Sequence, residues 1–140
     1  MDPSMTYGSQ SMALPLRRVL MRRPGESLIS AKAEEWHYGP GFDGAKAVAQ
    51  FGVFANHVEA SGAEVIWLED DGDGLADAMF THDPSLMTDK GAVILRMGKP
   101  GRMKEPELHK AAYQSAGIPV LGQIEAPGTV EGGDCIWVDD

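Results

Sequence analysis

The sequence predicts an α/β fold assembled from strand-strand-helix-strand units, and three observations carry that prediction. Short β-type apolar runs alternate with two longer segments whose apolar residues recur at helical spacing. One stretch echoes another: a helix leading into Ser61-Gly62-Ala63-Glu64-Val65-Ile66-Trp67-Leu68 returns as a helix leading into Ser115-Ala116-Gly117-Ile118-Pro119-Val120-Leu121-Gly122. The 140 residues are 43% hydrophobic and 24% charged, which suits one domain or part of a larger one with a real core.

The elements follow in order. Residues 1–15 are polar and glycine-containing and are expected to be a flexible leader, and 16–140 the folded part. Leu16 to Met21 reads as a strand, closed by the turn pair Pro24-Gly25. Trp36, His37 and Tyr38 lie close together, and Gly39-Pro40-Gly41 breaks any helix there. From Asp43 to Ala60, the residues Ala47, Val48, Phe51, Phe54, Ala55 and Val58 predict a helix, with Asp43 as N-cap and Gly62 as its stop. Ala63 to Leu68 reads as a buried strand. Glu69 to Gly74 reads as a solvated, mobile acidic loop.

Ala78 to Asp83 is expected to be a strand, Pro84 to Lys90 its hairpin loop, and Gly91 to Arg96 its partner. A second helix is expected over Glu105 to Ala116, with Pro106 tolerated in its first turn and Gly117 ending it. Pro119 to Ile124 is another strand, and Thr129 to Val138 a final strand pair or bent strand. In each echo the strand leads through an acidic or glycine-rich loop to a carboxylate, Asp83 or Glu131. Units that cannot bury their own faces pack against further copies, and little more than two copies cannot close a ring. The chain is therefore expected to be part of a longer domain.

Net charge is −9, which disfavours binding to phosphate backbones and weakly favours small cations. No apolar run is long enough for a transmembrane helix, and the first residues lack the order of a secretory signal. A single cysteine forms no internal disulfide. Together these predict a cytoplasmic protein with no nucleic-acid or membrane partner.

Four residue groups could carry chemistry. Asp77 and Asp83 differ by an even count, so a regular strand would show both on one face, with Glu131 joining from the next repeat. Carboxylates on an otherwise apolar strand call for compensation, and a planar guanidinium can supply bidentate bonds. The bland reading is a surface strand with solvated acids. Arg96, Lys99, Arg102 and Lys104 form a basic turn that could hold a substrate carboxylate, although such a cluster is more often a solvated turn. Glu69 to Gly74 resembles the front of a calcium loop, but Phe80 stands where the closing glutamate belongs. His37, His57, His82 and His109 show no zinc spacing with Cys135, so no metal or cofactor is expected. His57 and His109 read as ordinary helix residues, and Cys135 as a small core residue.

These residues resemble a known family. Phe80-Thr81-His82-Asp83-Pro84 resembles the Phe-Thr-Arg-Asp-Pro motif of guanidine-modifying enzymes, and Val130-Glu131-Gly132-Gly133-Asp134 their Glu-Gly-Gly-Asp motif. Arg96 to Glu105 is similar to the arginine-bearing turn between them. The family is the superfamily of arginine deiminases, dimethylarginine dimethylaminohydrolases and amidinotransferases, the pentein fold, and the dimethylargininase-like branch in particular. The resemblance runs from about Leu16 to Asp140 and reaches only the N-terminal half of the family's domain.

It implies about half of a five-unit α/β-propeller. It also implies hydrolysis of arginine or methylated arginine to citrulline through a covalent cysteine intermediate, with a histidine as acid and base. By resemblance Glu131 is the catalytic carboxylate. Asp83 and Asp77 bind the guanidinium, and Arg102, with Arg96 a weaker candidate, binds the substrate's carboxylate. His82 departs from the motif and bears on substrate choice. The family's nucleophilic cysteine and its histidine lie downstream of Glu-Gly-Gly-Asp, beyond residue 140, and Cys135 is misplaced for the role. The alternatives are a non-catalytic truncated fragment or binding module, and an amidinotransferase. An exposed edge strand is expected to favour pairing or homo-oligomers.

Overall fold

The computed structural model describes residues 7–70 and 72–138, so the leader's first six residues, Asp71 of the acidic loop and the final two residues lie outside the described residues. It resolves into two compact units, one spanning residues 16–81 and the other 82–138 together with 7–15.

The 16–81 unit is a parallel strand pair joined by a long helical crossover. Strand β1 (Arg18–Arg22) pairs with β2 (Glu64–Leu68), from Arg18 opposite Glu64 to Arg22 opposite Leu68. Parallel strands need such a crossover, which here holds three helices. Helices α1 (Glu26–Ile29) and α2 (Ala33–Trp36) are short and fill the stretch the sequence left unassigned. The chain leaves α2 through His37, at a left-handed φ of 62°. Helix α3 (Gly44–Ala60) starts where the sequence predicts, with the Asp43 side chain accepting from the Lys46 N–H. Ala55 is buried on its inner face, and Phe51 meets Trp67 of β2 edge-on at 6.5 Å between ring centroids.

The acidic loop is pinned, in contrast to the solvated loop expected. The Ser27 hydroxyl and N–H donate to Asp70 at 2.6 and 2.9 Å, and the Gly72 N–H donates to it at 2.9 Å. Buried Arg22 pairs with Asp73 at 2.7 Å and with Asp70 at 3.6 Å. A run of acids reads as solvated only until a buried cation is found beneath it. Burial pushes the Asp70 carboxyl up, but the bonds from Ser27 and Gly72 and the nearby Arg22 outweigh this and hold it below its ordinary value.

The other unit contains a complete strand-strand-helix-strand sequence. Strands β3 (Ser85–Thr88) and β4 (Gly91–Ile94) form a tight antiparallel hairpin, with Thr88 opposite Gly91. Helix α4 (Glu105–Ser115) crosses over to β5 (Val120–Gln123), which pairs parallel to β4. Ala92, Ile94, Leu95, Met97 and Ile118 form the core. Gly91 takes φ 140°, and an added Cβ would collide with the Pro119 carbonyl oxygen, so only glycine lets the strands approach there.

Four expectations are corrected. Ala78 to Asp83 is not a strand: Leu75 to Phe80 turns on itself, with the Ala78 N–H bonded to the Leu75 carbonyl and Phe80 N–H to Asp77. The small side chains of Ala76 and Ala78 let that turn be buried. The strand comes later, in the segment expected as hairpin loop, because a turn of only Asp89-Lys90 joins β3 to β4. Thr129 to Val138 is not a strand pair either. Val130 makes an isolated bridge to Arg96, Gly132–Asp134 form a 3-10 turn, and residues 135–138 have no strand. Cys135 is half-buried, with exposed Ile136 beside it, so it is no core residue.

The Asp70 geometry predicts an acid-range effect. A carboxyl whose folded pKa is depressed stabilises the fold above its unfolded value of about 3.9 and loses that contribution as pH falls through the folded pKa. Urea denaturation between pH 2.5 and 5 (a range set by the about 3.9 reference) should therefore show a shallower acid loss for Asp70→Asn than for the unmodified chain. Equal slopes would refute the assignment.

Candidate functional site

Three segments of the 82–138 unit converge on one guanidinium. Asp83 lies on the approach to β3, Arg102 ends the 3-10 turn Pro100–Arg102, and Glu131 opens the turn Gly132–Asp134. The two glycines explain how the last turn sits so close. The Gly132 N–H donates to the Asp83 carbonyl at 2.9 Å, and the Gly133 N–H donates to Asp83 Oδ1 at 3.2 Å. A Cβ on Gly132 would collide with the His82 carbonyl oxygen. The Glu-Gly-Gly-Asp motif is thus built for close backbone approach to the His82-Asp83 pair.

Arg102 is the hub. Its Nη1 donates to Asp83 Oδ2 at 2.9 Å. Its Nε donates to Glu105 Oε1 and Oε2 at 3.0 and 3.1 Å, and its Nη2 donates to Oε2 at 2.8 Å. Glu131 Oε1 lies 3.8 Å from Nη1. The side chains are 8% exposed for Arg102, 1% for Glu105, 22% for Asp83 and 33% for Glu131. Burial works against the Arg102 charge, but the bonds to Glu105 and Asp83 more than offset this and raise its pKa. This one guanidinium faces three carboxylates, and Glu131 is the most accessible of them.

Two expectations are revised by this arrangement. The basic turn is not simply solvated, because Arg102 is buried. Asp83 has its compensating guanidinium within the chain, and not only from a ligand. Arg96, half-buried in the same unit, donates from Nη1 to the Gly128 carbonyl at 3.1 Å. Asp77 belongs to the 16–81 unit; it is 5% exposed and accepts from the Tyr38 hydroxyl at 2.5 Å. Asp77 and Asp83 do not share a strand face, since neither is in a strand.

Glu105 is not among the site residues the sequence predicts. Its signal is the Arg-x-x-Glu spacing, which places an acid in the first turn of α4 three residues after Arg102. His109 is also more than an ordinary helix residue, being 1% exposed with Nδ1 2.9 Å from the Ser85 hydroxyl. Among the described residues, no group of three or more His, Cys, Asp or Glu side chains could hold a metal ion. Nor is any helix among them long and apolar enough to cross a membrane.

No protein-family profile matches the chain. A curated N(G),N(G)-dimethylarginine dimethylaminohydrolase of Pseudomonas aeruginosa is 32% identical over 124 residues, 89% of this chain and 48% of its own. A crystal structure of the Pseudomonas aeruginosa enzyme, a Cys-to-Ser variant complexed with citrulline, matches with TM-score 0.70 and 30% identity over 86% of this chain and 46% of that one. The N-terminal domain of a cyanobacterial arginine dihydrolase matches in fold, with TM-score 0.68 and 20% identity over 82% of this chain and 42% of that one. The chain is thus similar in sequence to a dimethylarginine dimethylaminohydrolase and similar in fold to part of an arginine dihydrolase. It spans about half the length of the curated relative it matches.

Removing the hub would take from buried Glu105 the guanidinium that pairs with both of its oxygens. Arg102→Ala should cost about 3–5 kcal/mol of stability in urea denaturation, the range for breaking a buried ion pair. Arg96→Ala, which loses one bond to an exposed carbonyl, should cost about 1 kcal/mol. Similar costs for both would contradict the hub.

Proposed function

We propose that the chain is the N-terminal portion of a hydrolase acting at the guanidino carbon of arginine or methylated arginine, forming citrulline. The observation that carries this reading is the group of three carboxylates around Arg102, with Glu131 the most exposed of them. A second guanidinium, from a ligand, would meet that exposed carboxylate. The relationship to an enzyme named for dimethylarginine, and to a structure holding citrulline, supports the same substrate class.

Glu131 is the catalytic carboxylate in this reading, receiving the ligand guanidinium and pairing with a histidine. Asp83 and Asp77 orient the guanidinium. Two features of Asp83 support its role: Arg102 and the Gly133 N–H hold its carboxylate in one orientation, and 22% of its side chain stays exposed. Preset carboxylates fix the planar ligand for attack at its central carbon. Arg96 binds the ligand's carboxylate at its far end in this reading, whereas Arg102, expected to share that role, is turned to Asp83 and Glu105 and orients the carboxylates that meet the guanidinium. The nucleophilic cysteine and the general acid-base histidine belong to the part of the domain that this chain, at about half its relative's length, does not span. The complete domain is the α/β-propeller of which this chain forms about half.

A second reading, a module that binds without turning over, rests on the same carboxylate cluster. One experiment tests the binding site that both readings share. The 140-residue chain should release no citrulline from arginine or dimethylarginine, yet bind arginine by calorimetry. Glu131→Gln should weaken that binding about tenfold or more, as expected for a charge-assisted bond of about 1.5–3 kcal/mol. Citrulline release by the chain alone would overturn the division of labour. Arginine binding that ignores Glu131→Gln would overturn the site.

A further inference from the structure

Helix α4 turns an unusual polar stripe inward. Glu105, His109 and Tyr113 follow one another at a spacing of four residues, so they lie on one face of the helix. All three are buried, at 0%, 1% and 8% exposure. Glu105 holds Arg102, which holds Asp83. His109 Nδ1 and the Tyr113 hydroxyl both meet the Ser85 hydroxyl, at 2.9 and 2.7 Å. Asp83 and Ser85 are separated only by Pro84, which is fully buried and whose carbonyl accepts from the Leu95 N–H at 2.9 Å. The same stripe of helix therefore grips both ends of one short, rigid segment: Asp83 through Arg102, and Ser85 directly.

Helix α4 packs against β4 and β5, and apolar contact, being non-directional, constrains its rotation less sharply than hydrogen bonds do. Two hydrogen bonds to one hydroxyl do fix it. Helical side chains reach about 5 Å from the axis, so a rotation of about 20° moves their tips by about 2 Å. That displacement would break bonds of the length seen between Glu105 and Arg102.

We propose that Ser85, His109 and Tyr113 are positioning residues: they set the rotation of α4, and so hold Glu105 where it fixes Arg102 and Asp83 for the ligand. The functional meaning rests on the guanidino-binding reading above, but the positioning itself is independent of any ligand.

The test reads Arg102 directly. In nitrogen-proton correlation spectra of the 140-residue chain, the Arg102 Nε–H, assigned by its loss in Arg102→Lys, should exchange slowly with solvent. In Ser85→Ala, with dispersed backbone amides retained, that proton should exchange at least about tenfold faster. Tyr113→Phe, the milder change, should move it in the same direction. Ser85→Thr keeps the hydroxyl and should restore the slow exchange. Unchanged exchange in folded Ser85→Ala and Tyr113→Phe overturns the proposal. So does loss of backbone dispersion in all three variants, which would show that the network maintains the fold and not the Arg102 geometry. Because no ligand is added, failure to bind arginine would count against the guanidino reading and leave this result standing.

Discussion

A buried guanidinium among carboxylates organises everything at the candidate site. Arg102 could not be buried alone, because a charge withdrawn from water must be matched by geometry as well as by sign. Glu105 supplies the match from the first turn of α4, with both oxygens on the guanidinium edge. Once that pair is fixed, Nη1 is directed at Asp83, and Asp83 in turn accepts the backbone of Gly133. The 3-10 turn, the start of the helix, the approach to β3 and the Glu-Gly-Gly-Asp turn are thus joined through one planar ion. Glu131 is left at the margin, close enough to feel the positive charge and exposed enough to meet a ligand.

The 16–81 unit uses the same device for a different end. Arg22 is buried beneath an acidic loop and pairs with Asp73 and Asp70, while Ser27 ties the loop to the start of α1. Here the ion pairs fix a loop whose composition alone suggests freedom. In both units a buried arginine converts a run of charge into defined geometry. Such pairs contribute less to net stability than their number suggests, since desolvation offsets much of the attraction. What they give is a single arrangement of backbone and carboxylates.

The proposed guanidino-binding reading calls for carboxylates that are oriented in advance yet not fully neutralised. An internal arginine orients Asp83, and Glu131 stays the most exposed of the three acids. The buried polar stripe of α4 extends this order one layer further out, to Ser85 and the hairpin that carries Asp83.

The sequence alone determined the elements whose signals are local. Helix α3 has its apolar period and an Asp43 cap, α4 its tolerated early proline and Gly117 stop, and β1, β2, β4 and β5 their apolar runs. The motif pair around Asp83 and Glu131 was equally plain, because close backbone approach requires glycine in a fixed place. The tertiary structure decided what depends on partners distant in the chain. It moved the strand from Ala78–Asp83 to Ser85–Thr88, since a two-residue turn and pairing with β4 outweighed local apolar content. It turned the expected final strand into a turn against Asp83, and gave Asp70, Glu105 and His109 their roles. A carboxylate reads the same in sequence whether it faces water or a buried arginine. Only the fold sets which of the two it meets, because the cost of burying charge is decided by the neighbours that the fold brings to it.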